Sequence, residues 1–205
     1  MLIQFVTSNP GKLATAQRHL APFGVTVKRT DVPLIEPQST DVTVVARSKA
    51  EQAWSQVGAP LIVEDGGLCI DGLRGFPGSL TKHVLEALGP EGIARLADMS
   101  PTRQAWFTTC LVYVDAAGEL VSFPEFRPPG SVSSTPMGTT PADAWSSLWD
   151  VYIPAGHAVP LSAMKPSERT RFDAHWAARS RFTDLGEFLV AHRLASAPER
   201  PGELR

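Results

Sequence analysis

The stretch LIVEDGGLCIDGLRGFPG, residues 61–78, decides how the chain is read. Leu61, Ile62 and Val63 make a short apolar run of the kind that forms a buried strand. That run stops at adjacent carboxylates, Glu64 and Asp65, and then at Gly66 and Gly67. A second apolar run, Leu68, Cys69 and Ile70, leads into a segment punctuated by Gly72, Gly75, Pro77 and Gly78. Carboxylates at the end of a buried strand are costly unless something cationic meets them. The glycines beside them let backbone approach whatever sits there. Two readings stand at this point: a strand end with a solvated acidic turn, or an acidic site.

Upstream, residues 2–6 (LIQFV) predict a strand that runs into Thr7-Ser8-Asn9-Pro10-Gly11-Lys12. Asn9 is a strong N-cap type, and Pro10 suits the first helical position. Leu13, Ala16 and Leu20 follow at helical spacing. A helix start exposes N–H groups and a positive dipole end, and Lys12 adds a full charge. That is a phosphate seat, although the GxxxxGK[ST] spacing is absent and ordinary β–α turns look alike. Residues 25–28 predict a second strand, and residues 31–39 a loop in which Pro33 and Pro37 flank Glu36. Val42, Val45, Ala46, Ala50, Ala53, Trp54 and Val57 trace an amphipathic helix over 42–57. Lys49 falls on its apolar face, where a lysine either snorkels or points into a cleft that holds an anion.

Downstream, residues 80–88 read as a helix with Lys82 and His83 in its first turn. Gly89-Pro90 ends it, and a further short helix covers 91–98. Residues 106–114 and 120–123 read as two strands of a hairpin. Residues 124–141, with five prolines, look too broken for a regular central strand. A short strand over 149–153, a basic helix over 167–181 and a terminal helix over 185–194 complete the reading, with 198–205 a solvated tail.

At 205 residues the chain is expected to be one domain, 1–205, able to bury a core without staples. A net charge of −2 gives no reason to expect a nucleic-acid partner, so phosphate affinity has to come from a local site. Cys69 and Cys110 lie in apolar runs, which points to buried thiols in a reducing, cytoplasmic setting. Neither a signal peptide nor an apolar run near 18 residues is present, so no membrane span is expected.

The order of these motifs resembles the inosine triphosphate pyrophosphatase family, which hydrolyses non-standard purine nucleoside triphosphates to monophosphate and pyrophosphate. Thr7-Ser8-Asn9-Pro10-Gly11-Lys12 resembles its T-G-N-x-G-K phosphate loop, with serine for the first glycine. Val63-Glu64-Asp65 and Leu68-Cys69, then Leu73-Arg74-Gly75-Phe76-Pro77-Gly78, resemble its acidic strand end and G-G-x-P-G turn. Ser147-Leu148-Trp149-Asp150 resembles the base-binding F-G-[YW]-D segment. Glu168-Arg169 and His175 lie where the family has E-K and S-H-R.

The resemblance implies an α/β fold: an elongated mixed twisted sheet flanked by helices, two lobes with a cleft between them, and a homodimer. It implies that Thr7, Ser8, Asn9, Lys12, Lys49, Gly66 and Lys82 bind the triphosphate of a nucleoside triphosphate substrate. Asp65 becomes an Mg²⁺ ligand or the base that prepares a water, with Lys12 beside it in catalysis. Glu36 becomes the second metal ligand, with Asp41 as its alternative. Trp149, Asp150, Arg169 and His175 become the base side of the site. Here the chain departs from the family pattern. His175 is followed by Trp176 instead of the arginine that reads a 6-keto oxygen, and proline–arginine–glycine is Pro136-Met137-Gly138. Losing a donor to the 6-oxygen weakens rejection of a 6-amino base. The reading is therefore a Mg²⁺-dependent pyrophosphatase of a purine nucleoside triphosphate, with the phosphate site kept and the base site rewritten; the alternatives are a relative retuned to a 6-amino or sugar-modified purine nucleotide and a nucleotide-binding protein without turnover.

Overall fold

The computed structural model describes residues 1–123, 129–142, 144, 146–177, 180–192 and 194, with 173–177 described by their backbone alone. Its strands are β1 (Leu2–Val6), β2 (Thr26–Thr30), β3 (Leu61–Ile70), β4 (Pro77–Gly78), β5 (Gln104–Val114), β6 (Leu120–Ser122), β7 (Pro129–Val132) and β8 (Tyr152–Pro154). Its helices are α1 (Pro10–Leu20), α2 (Val42–Val57), α3 (Thr81–Ala97), α4 (Pro166–Ala177) and α5 (Arg181–Ala191). The strands form one open mixed sheet in the order β2–β1–β3–β5–β7–β8, with β4 added to β3 and β6 to β5. β1 is parallel to β2 and β3, and the other pairings are antiparallel.

The acidic stretch does not end its strand. β3 continues through Glu64, Asp65, Gly66 and Gly67, because β5 pairs with it residue by residue from Leu61↔Val114 to Ile70↔Ala105. Cross-strand pairing outweighs the poor strand preference of Asp and Gly. A second correction concerns the proline-rich segment. Pro129–Val132 is a strand between β5 and β8, with its proline at the first position, where a missing N–H is tolerated. Ser147–Asp150 is a short 3-10 turn, and the strand begins after it, at Tyr152. The basic helix is shorter than expected: α4 ends at Ala177, and Ser180 caps a separate α5 four residues ahead of Leu185. The break at Gly89 is present, with φ 66° and ψ −179° inside α3. The tail expected over 198–205 lies outside the described residues.

Period-two alternation along β3 and β5 sorts the core. Ile62, Leu111 and Tyr113 face α1 and α5, together with Ile3, Phe5, Leu20, Phe182 and Leu185. Leu61, Val63, Cys110, Val112 and Val114 face α2, against Val42, Ala46, Ala50 and Ala53. Farther along both strands, Leu68, Ile70, Ala105 and Phe107 enter a separate core with Ile93, Leu148, Trp149, Tyr152 and Leu161. Each fully buried aliphatic side chain contributes about 1.5–3 kcal/mol, so both ends of β3 are strongly held. Residues 64–67 lie between those cores. No described helix is long and apolar enough to cross a membrane.

Candidate active site

Parity along β3 sends the two carboxylates to different helices. Glu64 shares the face of Ile62 and reaches α1, where Lys12 Nζ lies 3.6 Å from Glu64 Oε2. The same Nζ donates to the Glu64 carbonyl at 3.3 Å. Asp65 shares the face of Val63 and reaches α2, where Lys49 Nζ lies 3.4 Å from Asp65 Oδ1. Lys49 Nζ also donates to Glu36 Oε1 at 2.6 Å. One ammonium thus joins carboxylates from a loop and a strand, which explains a lysine on the apolar face of α2. Asp41, the alternative to Glu36, is the N-cap of α2 and accepts from Thr43 N at 2.7 Å.

The loop carrying Glu36 is held against the link between β4 and α3 by close backbone contacts. Ser79 N donates to Thr40 O at 3.2 Å, and Ser79 Oγ donates to Ser39 O. Thr81 Oγ1 accepts from Leu68 N at 2.8 Å and donates to Gly78 O at 2.5 Å. Gly67 is required here, since a Cβ would lie 1.8 Å from Gly78 O. Gly66 is tight in a milder way, its added Cβ meeting Thr109 Cγ2 at 3.0 Å.

Burial dominates the protonation of the strand carboxyls. It holds Asp65 above the usual carboxylate range even though Lys12 and Lys49 pull the other way. It raises Glu64 as well, against the pull of Lys12 and with the push of Asp65. Burial would also raise Glu36, yet the hydrogen bond and charge of Lys49, with the charges of Lys82 and His83, bring it below its usual value. Burial would lower Lys49, but Asp65 and Glu36 hold it above its usual value. The second oxygen of Asp65, Oδ2, is buried with no hydrogen-bond partner among the described residues. A buried unsatisfied carboxylate oxygen is costly and marks a place where a ligand or proton is engaged.

The donor set suits a hard cation. Glu36 and Asp65 offer carboxylate oxygens, which suit Mg²⁺. No group of three or more His, Cys, Asp or Glu able to hold a metal occurs among the described residues.

The capped turn between β1 and α1 forms as its sequence implies. Asn9 Oδ1 accepts from Gly11 N at 2.9 Å and from Lys12 N at 3.1 Å, and Thr7 Oγ1 accepts from Asn9 N at 3.1 Å. Ser8 is exposed at its tip. Lys82 is 73% exposed and pairs with Glu86 at 3.9 Å, so it stands outside the cluster although its charge reaches Glu36. On the base side, Trp149 is only 6% exposed and packs in the core beyond residue 68. Asp150 accepts from Thr140 Oγ1 at 2.7 Å and from Ser162 Oγ, tying two loops together. Arg169 is half-buried in the first part of α4. His175 lies on the same helix, and its side chain is outside the described residues. Sequence reading missed Thr81, Thr140 and Ser162. Hydroxyls in loops and first turns carry no periodic signal, and only the fold brings these to their partners.

Comparison with known proteins fits this arrangement. The family model described as the Ham1 family matches residues 3–184. The dITP/XTP pyrophosphatase of Pyrobaculum aerophilum is 37% identical over 195 residues, covering 95% of this chain and 99% of that protein. The one from Methanopyrus kandleri is 31% identical, over 94% of this chain and 100% of its own length. Inosine triphosphate pyrophosphatase 1 of Trypanosoma cruzi is 32% identical, over 82% of this chain and 84% of its own. Among solved structures, the Staphylococcus aureus Ham1 protein superposes with a TM-score of 0.73 at 17% identity, over 94% of this chain and 100% of that one. With a match that runs through the phosphate loop, both carboxylates and the helices around them, the chain belongs to the Ham1 family.

Proposed function

We propose that the chain is a Mg²⁺-dependent nucleoside triphosphate pyrophosphatase that cleaves a purine nucleoside triphosphate to monophosphate and pyrophosphate. The observation that carries this is Asp65: a buried carboxyl with one oxygen on Lys49 and the other without a partner among the described residues, linked through Lys49 to Glu36 and held above the usual carboxylate range. The names of relatives support the substrate class, since they include dITP/XTP and inosine triphosphate pyrophosphatases.

The chain's own groups then have these roles. Thr7, Ser8, Asn9 and the start of α1 seat the phosphates, and Lys12, Lys49 and Lys82 offset their charge. Gly66 leaves room for backbone approach. Asp65, with one oxygen on Lys49, is the group placed to take a proton from the attacking water. The water oxygen bonds to the α-phosphorus, the α–β bridging oxygen leaves with pyrophosphate, and the proton passes from Asp65 to solvent. Glu36 and Asp65 would hold Mg²⁺ together with substrate phosphate oxygens. When bound, the ion screens the phosphate charge and makes phosphorus a better electrophile. Trp149, Asp150, Arg169 and His175 form the base side, without the arginine that reads a 6-keto group. Cytoplasmic placement and a homodimer belong to the same reading.

Hydrolysis in ¹⁸O-water tests the bond that is attacked. Label in the monophosphate supports attack at the α-phosphorus. Label in the pyrophosphate alone contradicts it.

A further inference from the structure

The loop that delivers Glu36 is gripped by side chains that the cluster itself does not contain. Residues 31–40 form neither helix nor strand, so their backbone groups need partners from elsewhere. Lys49, Gln52 and Gln56 stand at i, i+3 and i+7 on α2 and share one stripe of that helix. A glutamine amide offers a donor and an acceptor, as a peptide group does. Gln52 uses both on one residue: Nε2 donates to Ile35 O at 2.8 Å, and Oε1 accepts from Ile35 N at 2.8 Å. Nε2 also donates to Ser48 Oγ at 3.2 Å, which fixes the amide on its own helix. One turn on, Gln56 Nε2 donates to Pro33 O at 3.0 Å. Ile35 is 80% exposed, so its own side chain does not anchor this point of the loop. The next residue is Glu36.

We infer that Gln52 is a positioning residue: by clamping the Ile35 backbone it sets the Glu36 carboxylate beside Lys49 and Asp65, where the two carboxylates would hold one cation. The inference rests on the metal reading above. A glutamate side chain has several rotatable bonds, so its carboxylate returns to one place only if its backbone is fixed. Outer partners of metal-binding groups commonly change affinity by about 10–100-fold when lost.

The probe is Mn²⁺ with the α,β-methylene analogue of inosine triphosphate, followed by electron paramagnetic resonance on the full chain. Gln52→Met keeps side-chain length and removes both Ile35 bonds. It is expected to weaken Mn²⁺–analogue binding about tenfold. It should also raise the Mg²⁺ concentration for half-maximal rate while kcat at saturating Mg²⁺ stays within about twofold. Glu36→Gln should weaken binding at least as much, and adding Gln52→Met to it should do nothing further. Gln52→Glu keeps the acceptor for Ile35 N and loses the donor, so it should fall between wild type and Gln52→Met; it also stands in should the methionine variant fail to fold. If Glu36→Gln weakens binding and the Gln52 variants do not, the positioning role is overturned and the metal reading stands. If neither residue matters, both are overturned. Fully additive losses in the double variant also overturn the positioning role, because Gln52 would then act elsewhere.

Discussion

Asp65 brings the chemistry and the instability of the site to one atom. Its carboxyl group is buried with one oxygen lacking a hydrogen-bond partner among the described residues, and burial holds its pKa above the unfolded value of 3.8. A raised carboxyl adds stability fully below its unfolded value, and that contribution is lost as pH rises through the folded value. Asp65→Asn stays neutral throughout. It is therefore expected to melt higher than wild type at pH 8 when no divalent ion is bound. The two proteins should converge toward pH 3, and calorimetry across that range checks the sign. In turnover the order reverses: Asp65→Asn should lose at least ~10²-fold in kcat, the lower range of general-base effects. Glu64→Gln, on the opposite face of β3 and against Lys12, should lose within about tenfold, or ~1.4 kcal/mol of barrier. Equal losses from both would mean that parity along the strand does not divide their roles.

At the scale of elements, the junction of β3, β4, α3 and the residue 36 loop depends on backbone proximity. Gly67→Ala places a methyl 1.8 Å from Gly78 O, with Thr81 Oγ1 at 3.0 Å. Its expected cost is about 2–3 kcal/mol, the upper range for overpacking. Gly58→Ala meets nothing within 4 Å at φ 58° and should cost about 1 kcal/mol, from the left-handed backbone alone. Denaturant midpoints rank the two, and similar costs would remove the close contact as the reason for Gly67. The same junction marks how far local signals carried. Asn9, Pro10 and the spacing of Leu13, Ala16 and Leu20 write α1 into the chain, and the α2 stripe is as plain. The continuity of β3 was not legible, because Glu64-Asp65-Gly66-Gly67 is a poor strand by itself and is held by β5. Pro129–Val132 was hidden for the same reason, since its pairing partners, β5 and β8, lie far off in sequence. That Lys12, Lys49 and Asp65 come together in one candidate site was legible only through motif order. Distance along the chain does not say that Lys49 touches both Glu36 and Asp65.

For the whole molecule, the proposed phosphate end and the proposed base end lie in different parts of the fold. The carboxylate cluster lies between the cores flanking residues 64–67, whereas Trp149 sits in the core beyond residue 68 and Asp150 is half-buried beside it. If no donor replaces the missing arginine, kcat/KM should differ little between inosine and adenosine triphosphates, or favour the latter. A preference above ~10³-fold for inosine would require a reader elsewhere, because a single polar partner can supply selectivity of that size. Removing divalent ions with a chelator should abolish turnover and adding Mg²⁺ should restore it, with Glu36→Gln shifting the Mg²⁺ requirement upward.

The most direct measurement is the identity of the inorganic product. Purine and pyrimidine triphosphates are incubated with the protein and Mg²⁺, and pyrophosphate, orthophosphate and nucleoside monophosphate are scored separately by ³¹P resonance. Monophosphate and pyrophosphate in equal amounts from at least one purine triphosphate, lost in Asp65→Asn, is the predicted result. Orthophosphate as the sole inorganic product across the panel would contradict it.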